Sequence, residues 1–239
     1  MKGKNILITG GSQGIGAKTA EYLCSQGATV ILVARNEQKL RKMQESLPGT
    51  SFAFSYDLQN LKDIENIFQY CLDNKIKLHG MVHCAGINRD IPVKYNDIDM
   101  MKETFAVNYM AFVELGKYFM KKKYSADGGS IVAISSSAAN TLPPGMCTYA
   151  SSKLALEGAV KIMAKEFLKR KIRVNAIAPS CVDTEMIDDA PFINVDHIEI
   201  SQPFGLIEPI YISYLIKYLL SEKSRYITGT TIPVYAGAV

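Results

Sequence analysis

The 239-residue chain has no apolar run approaching the ~18 residues a membrane-spanning helix needs, which excludes a helical membrane protein. It is poor in cysteine chemistry. Cys24, Cys71, Cys84, Cys147 and Cys181 are odd in number and lack C-x-x-C spacing, so no disulfide framework is expected, only reduced, mostly buried thiols. Charge of one sign is also scarce: 27 Lys and Arg against 23 Asp and Glu leave a formal +4. A protein dedicated to nucleic acid or a membrane surface would carry a larger, clustered basic surplus. The opening MKGKNILITGG runs from a short apolar stretch straight into glycines, without the longer core and cleavage site of a signal peptide. A soluble, cytoplasmic protein is expected. No internal repeat or low-complexity linker is present, and 48% hydrophobic with 21% charged residues excludes a disordered or fibrous chain.

What is present is an alternation of strand and helix patterns. Asn5–Thr9, Thr29–Ala34, Ser51–Ser55, Gly80–His83, Ser130–Ser135, Ile172–Ile177 and Thr230–Val234 read as strands. Thr29–Ala34 (TVILVA) is continuously apolar, as a strand buried on both faces should be. Between the strands, Gly14–Ser25, Glu37–Leu47, Leu61–Asn74, Met100–Lys123, Thr148–Arg170 and Pro209–Leu220 have helical spacing. This rhythm predicts an α/β fold: one doubly wound parallel sheet of Rossmann type, helices on both faces, in a single domain over 1–239. The long irregular stretch from Cys181 to Gly205 is read as a substrate lid at about 185–205.

The first strand runs into Thr9-Gly10-Gly11-Ser12-Gln13-Gly14-Ile15-Gly16. A glycine-rich turn opening a helix offers backbone N–H groups and a positive helix end to a pyrophosphate, although G-x3-G-x-G is not the commoner G-x-G-x-x-G. After the second strand, where an NAD site usually places a carboxylate, stand Ala34 and Arg35. A guanidinium pairs bidentately with a 2′-phosphate, which points to NADP(H) over NAD(H). The alternative is a solvated loop arginine. Ser12 and Asn36 are further candidates for that phosphate; Gln13 is neutral and adds no second cation. Asp57, after the third strand, is placed either to bond adenine or to cap the next helix.

Tyr149 and Lys153 stand four apart at a helix start, hence on one face. An ammonium beside a phenol favours the phenolate and lowers its pKa, making Tyr149 a proton donor. Ser135-Ser136-Ser137 ends the strand upstream, and Asn108 is a polar, poor helix former inside the preceding long helix.

Taken with Ala85-Gly86, Asn175, Pro179-x4-Thr184 and Ile227-Thr-Gly229, these motifs resemble the short-chain dehydrogenase/reductase family along nearly the whole chain. The resemblance implies carbonyl reduction by hydride transfer, with Tyr149 as general acid. Lys153 would tune Tyr149 and bond the nicotinamide ribose, Ser136 would bond the substrate oxygen, and Asn108 would hold a water leading from Lys153. It implies cofactor contacts from Gly10, Ser12, Gln13, Gly14, Ile15, Gly16, Arg35, Asn36, Asp57, Leu58, Ala85, Gly86, Tyr149, Lys153, Pro179, Val182 and Thr184. No metal is expected. Family members commonly assemble as homotetramers or homodimers, and Ala155, Gly158 and Ala159 permit close helix contact.

The family's Asn-Asn-Ala-Gly is His83-Cys84-Ala85-Gly86 here; His83 is read as a satisfied structural histidine and Cys84 as a small packed side chain. The late Gly-Arg is Gly205-Leu206 and the Asp-Gly-Gly is Tyr235-Ala236-Gly237. Length and layout resemble the 3-oxoacyl-acyl-carrier-protein reductases of fatty acid biosynthesis. Arg170 matches one position that docks an acidic carrier, and Lys121-Lys122-Lys123 lies near the other. Met186, Ile187, Phe192 and Ile193, with Asp188, Asp189 and Asp196, give a lid that suits an acyl chain, a sugar, a steroid or a small ketone. The alternatives are therefore a ketoreductase or alcohol dehydrogenase of sugar, steroid or secondary metabolism, and a non-catalytic NADP(H)-binding regulator.

Overall fold

The computed structural model describes residues 1–188 and 201–238. Its strands are β1 (Asn5–Thr9), β2 (Thr29–Ala34), β3 (Ser51–Ser55), β4 (Leu78–His83), β5 (Ser125–Ile134), β6 (Arg173–Pro179) and β7 (Thr231–Val234). They form one sheet in the order β3-β2-β1-β4-β5-β6-β7, and every pair is parallel. The helices are α1 (Gly14–Ser25), α2 (Glu37–Ser46), α3 (Glu65–Asp73), α4 (Ile98–Phe105), α5 (Ala111–Phe119), α6 (Ala138–Thr141), α7 (Cys147–Glu166), α8 (Glu185–Asp188) and α9 (Pro209–Leu220).

Strand side chains alternate between two cores. Ile31 and Val33 of β2 point into a cluster with Phe68 of α3 and Phe112 of α5, while Val30 and Leu32 point into the opposite cluster with Leu23 of α1 and Ile216 of α9. A continuous apolar strand has this meaning: both its faces are covered. Strand order reverses between β1 and β4, so the loops at their carboxyl ends diverge and leave a crevice. No helix among the described residues is long and apolar enough to cross a membrane.

The structure corrects several expected boundaries. The single helix expected over Met100–Lys123 starts at Ile98, capped by Asp97 accepting from the Asp99 and Met100 amides, and is interrupted by a π-helical turn at Ala106–Met110. Such insertions commonly mark functional sites, and this one carries Asn108. The helix expected over Leu61–Asn74 begins as a separate 3₁₀ turn, Leu61–Asp63. The helix ending at Arg170 closes with a 3₁₀ turn, Phe167–Arg170. Strand β5 begins at Ser125, earlier than its apolar run, and its register against β4 shifts between Ser125 and Ser130. The thiols are less buried than expected: all five are free, but only Cys24 and Cys71 are buried, and Cys147 is exposed. The lid expected at 185–205 is described only at its base. There Val182 bridges Ile207, and the Gln202 amide clamps the Cys181 backbone, accepting from its N–H and donating to its carbonyl, both at 3.0 Å. The side chains of Ile187 and Asp188, and the whole of Asp189, Phe192, Ile193 and Asp196, lie outside the described residues.

Candidate active site

A cavity of about 790 Å³ opens in the crevice at the carboxyl ends of the strands. Apart from Asn108, every site residue expected from sequence lines it: Gly10, Ser12 through Gly16, Arg35 and Asn36, Asp57 and Leu58, Ala85 and Gly86, Ser136, Tyr149, Lys153, Pro179, Val182 and Thr184. A volume of this size accommodates a large small-molecule ligand.

One end of the cavity is built by the turn between β1 and α1. Gln13, at the helix N-cap, makes no side-chain capping bond, and the first turn holds no acidic residue, so the N-terminal amides and the helix dipole are left to face the cavity. The backbone is packed so tightly that a Cβ at Gly10 would lie 2.8 Å from the Ala85 amide nitrogen, and one at Gly16 2.2 Å from the Gly10 carbonyl oxygen. Such a cradle fits a pyrophosphate-bearing cofactor. Beside it, Arg35 is exposed and its carbonyl accepts from Ser55 Oγ at 3.2 Å. Sequence reasoning missed a second cation here. Lys39, in the first turn of α2, lines the same cavity and donates to Gln13 Oε1 at 3.2 Å. Its relation to Gln13 spans two loops, so no local spacing reveals it. Asn36 accepts from the Lys39 amide as the α2 N-cap, and Asp57 Oδ1 accepts from the Gln59 amide rather than capping a helix.

The other end joins α7 to the ends of β4, β5 and β6. Tyr149 and Lys153 share one face of α7, the Lys153 Nζ lying 5.7 Å from the Tyr149 ring centroid. Lys153 Nζ donates to the Ile134 carbonyl at 2.8 Å. Lys153 is not among the groups that set the Tyr149 pKa here, which lies above the ordinary phenol value rather than below it as expected. Burial raises the Tyr149 pKa, against a smaller lowering from the Ser136 hydroxyl, and the Asp90 charge raises it further. Burial also pushes the Lys153 ammonium down to about 8, because desolvation disfavours the charged form of either group. Ser136 Oγ accepts from the Ala138 amide at 3.2 Å, which fixes its position. Ser135 beside it turns away and donates to buried Glu157 at 2.6 Å, a partner the sequence did not suggest.

Asn108 sits behind the cavity wall. Its Oδ1 accepts from the Ile87 amide at 2.8 Å, and its Nδ2 donates to the Ile87 carbonyl and to Ser152 Oγ. The amide thus pins the loop after β4. A Cβ at Gly86 would meet both Lys153 Nζ and Asn108 Oδ1, so this glycine keeps the two close.

Three further expectations change. His83 is not fully satisfied: Nδ1 pairs with Thr9 Oγ1 at 2.9 Å, but buried Nε2 has no partner, and burial pushes the ring down to about 3. Arg170 is buried rather than poised for an acidic carrier. It donates to Asp127, Ser125 and the carbonyls ending α5. Of the three lysines nearby, Lys121 and Lys123 pair with Glu65.

Comparison with known proteins agrees with this geometry. The family described as short chain dehydrogenase matches residues 4–191. The human 3-oxoacyl-[acyl-carrier-protein] reductase is 32% identical over 236 residues, covering 98% of this chain and 97% of that protein. The 3-oxoacyl-[acyl-carrier-protein] reductase FabG of Thermotoga maritima is 32% identical over 251 residues, covering 100% and 99%. A short-chain type dehydrogenase/reductase from Mycobacterium ulcerans superposes with a TM-score of 0.90 at 26% identity, covering 100% of this chain and 90% of that one.

Proposed function

This chain belongs to the short-chain dehydrogenase family and is an oxidoreductase of it, and from that premise we propose that it uses NADPH to reduce a carbonyl to a secondary alcohol, 3-oxoacyl thioesters being the substrate class. The observation that carries this reading is the convergence of Ser136, Tyr149 and Lys153 at one end of a cavity whose other end holds the glycine turn, Arg35 and Lys39. When bound, the nicotinamide supplies the hydride. Ser136 donates a hydrogen bond to the carbonyl oxygen, and Tyr149 delivers its proton to that oxygen as negative charge develops, a role worth on the order of 10²–10⁴ in rate. Lys153 places positive charge under the phenol. Arg35, joined by Lys39, favours the 2′-phosphate of NADP(H) over the bare ribose of NAD(H).

NADPH oxidation with an acetoacetyl thioester tests the reading. Turnover is expected, and Tyr149→Phe should abolish it while NADPH still binds. Binding without turnover of any carbonyl would return the protein to the regulator class. Turnover of sugar or steroid ketones but not thioesters would move the substrate class.

A second feature supports assembly. Leu154, Gly158 and Ile162 form an exposed apolar stripe along α7, with open space above Gly158. Such a stripe suits close packing against a second copy, so we expect a dimer or tetramer by sedimentation; a monomer at micromolar concentration would refute it.

A further inference from the structure

The loop after β4 carries an anomaly that the cofactor site does not use. Asp90 is only 8% exposed, yet neither carboxylate oxygen has a partner at full hydrogen-bond geometry, the nearby Asn88 side chain easing its burial without closing such a bond. Asn88 Oδ1, two residues earlier, is buried and equally without a donor. Buried acceptors without partners are rare because each forfeits its hydration for nothing, and a carboxylate forfeits most. Three such atoms fall in this one loop, and both residues line the main cavity, where the Asp90 charge reaches Tyr149.

Among the described residues, no side chain satisfies them. Arg89, the adjacent cation, turns outward to Glu103 at 2.8 Å. Lys153 Nζ donates a hydrogen bond to the Ile134 carbonyl. The Asn88 amide softens the burial of Asp90 only in part. Nor does the loop readily swing out to water, since Asn108 grips it at Ile87 and the Ile91 amide donates to the Gly145 carbonyl at 2.7 Å. Pro143, Pro144 and Met146, which line the same cavity on the segment that Ile91 bonds, supply no side-chain donor.

Resting on the reading that this site reduces carbonyls, we propose that Asn88 and Asp90 form an acceptor subsite that binds a neutral hydrogen-bond donor of the substrate, a hydroxyl or an amide N–H. An acceptor-only edge is matched by a donor and repels a carboxylate. Lys153 already places an ammonium in the cavity, which disfavours a cationic substrate. A site built to bond an O–H or N–H rejects an analogue lacking it, because its own polar groups are then left unpaired.

The test uses the full chain with NADPH and two matched pairs. S-acetoacetyl-N-acetylcysteamine carries an amide N–H that S-butyl acetothioacetate lacks, and 4-hydroxy-2-butanone carries a hydroxyl that 2-pentanone replaces with methyl. The donor-bearing member of at least one pair is expected to show a tenfold or greater advantage in kcat/KM. Asp90→Leu should reduce that advantage to within about twofold, and Asp90→Asn should keep part of it. The melting temperature of Asp90→Leu should not fall, since an unpaired buried charge is removed; a structural role would lower it. Equal turnover within both pairs, an advantage that survives Asp90→Leu, or a destabilised variant would each overturn the proposal. If wild type turns over no member, the reductase reading fails separately, and calorimetric titration of the same pairs still decides the subsite: a donor preference in affinity supports it and equal affinity removes it.

Discussion

Replacing Arg170 by methionine separates a structural role from a docking one. The guanidinium donates from Nε to Asp127 at 2.9 Å, from Nη1 to the Met120 carbonyl at 2.7 Å and Ser125 Oγ at 3.0 Å, and from Nη2 to the Ser125 carbonyl at 2.8 Å. It therefore ties the end of α5 to the start of β5. Breaking a buried pair by removing one partner costs about 3–5 kcal/mol when the other charge stays buried. Asp127 is 65% exposed and rehydrates freely, so its share is small. The buried Ser125 and the helix-end carbonyls are not rehydrated, and lost charged hydrogen bonds are worth about 1.5–3 kcal/mol each without being additive. Arg170→Met should thus cost about 2–4 kcal/mol. At roughly 2–4 °C per kcal/mol for a chain of this size, the melting temperature falls by about 4–16 °C. Differential scanning calorimetry measures this directly. Below the variant's transition, the KM ratio for carrier-linked over free thioester should stay within about twofold of wild type. A melting temperature within about 1 °C of wild type, together with a raised KM for the carrier-linked substrate alone, would refute the argument and restore Arg170 as a docking cation.

Arg35→Ala with Lys39→Ala should lower the NADPH-over-NADH ratio of kcat/KM by about 10–100-fold, because both cations are exposed and each phosphate contact is worth about 1.5–3 kcal/mol before screening; an unchanged ratio would make both solvated loop residues. Gly16→Ala places a Cβ 2.2 Å from the Gly10 oxygen, so NADPH affinity by fluorescence titration should drop at least tenfold, and retention of affinity would show that the turn yields. Lys153 is held near 8, below the ~10.4 of an unfolded chain, so between those values the unfolded state binds the extra proton and stability rises with pH; below about 8 the penalty is constant. Lys153→Met should therefore gain stability relative to wild type, on the order of 3 kcal/mol at pH 7, with the gap closing as pH rises towards 10.5. A pH-independent gap in urea unfolding would contradict this.

Most of the site was legible because its parts are local in sequence. Glycines spaced for one turn, Tyr149 and Lys153 one helical turn apart, and apolar strands of buried length all express geometry within a few residues. The crevice follows from the observed strand order, which reverses between β1 and β4. What the sequence hid depends on distant neighbours. Lys39 meets Gln13 across two loops, Glu157 meets Ser135 across the α6 turn, and Arg170 looks like any helix-end cation until β5 closes over it. The π-helical turn was invisible for a similar reason. Asn108 is a poor helix former, but its partner in the widened turn, the Ile87 backbone, lies 21 residues away in sequence.

The electrostatics of Tyr149 and Lys153 form the sharpest case of this kind. Spacing alone implies an ammonium that acidifies a phenol, as it would on an exposed helix. Burial reverses the balance, since desolvation penalises phenolate and ammonium together, raising one pKa and lowering the other. In the proposed reduction this is an advantage. Tyr149 must hold its proton until charge develops on the substrate oxygen, and an alkoxide is basic enough to take it even from a phenol of raised pKa. In the reverse direction the same residue must first lose its proton, against both burial and the Asp90 carboxylate. Alcohol oxidation should therefore demand a more alkaline medium than reduction, and the gap should narrow in Asp90→Asn, where one of the opposing charges is gone.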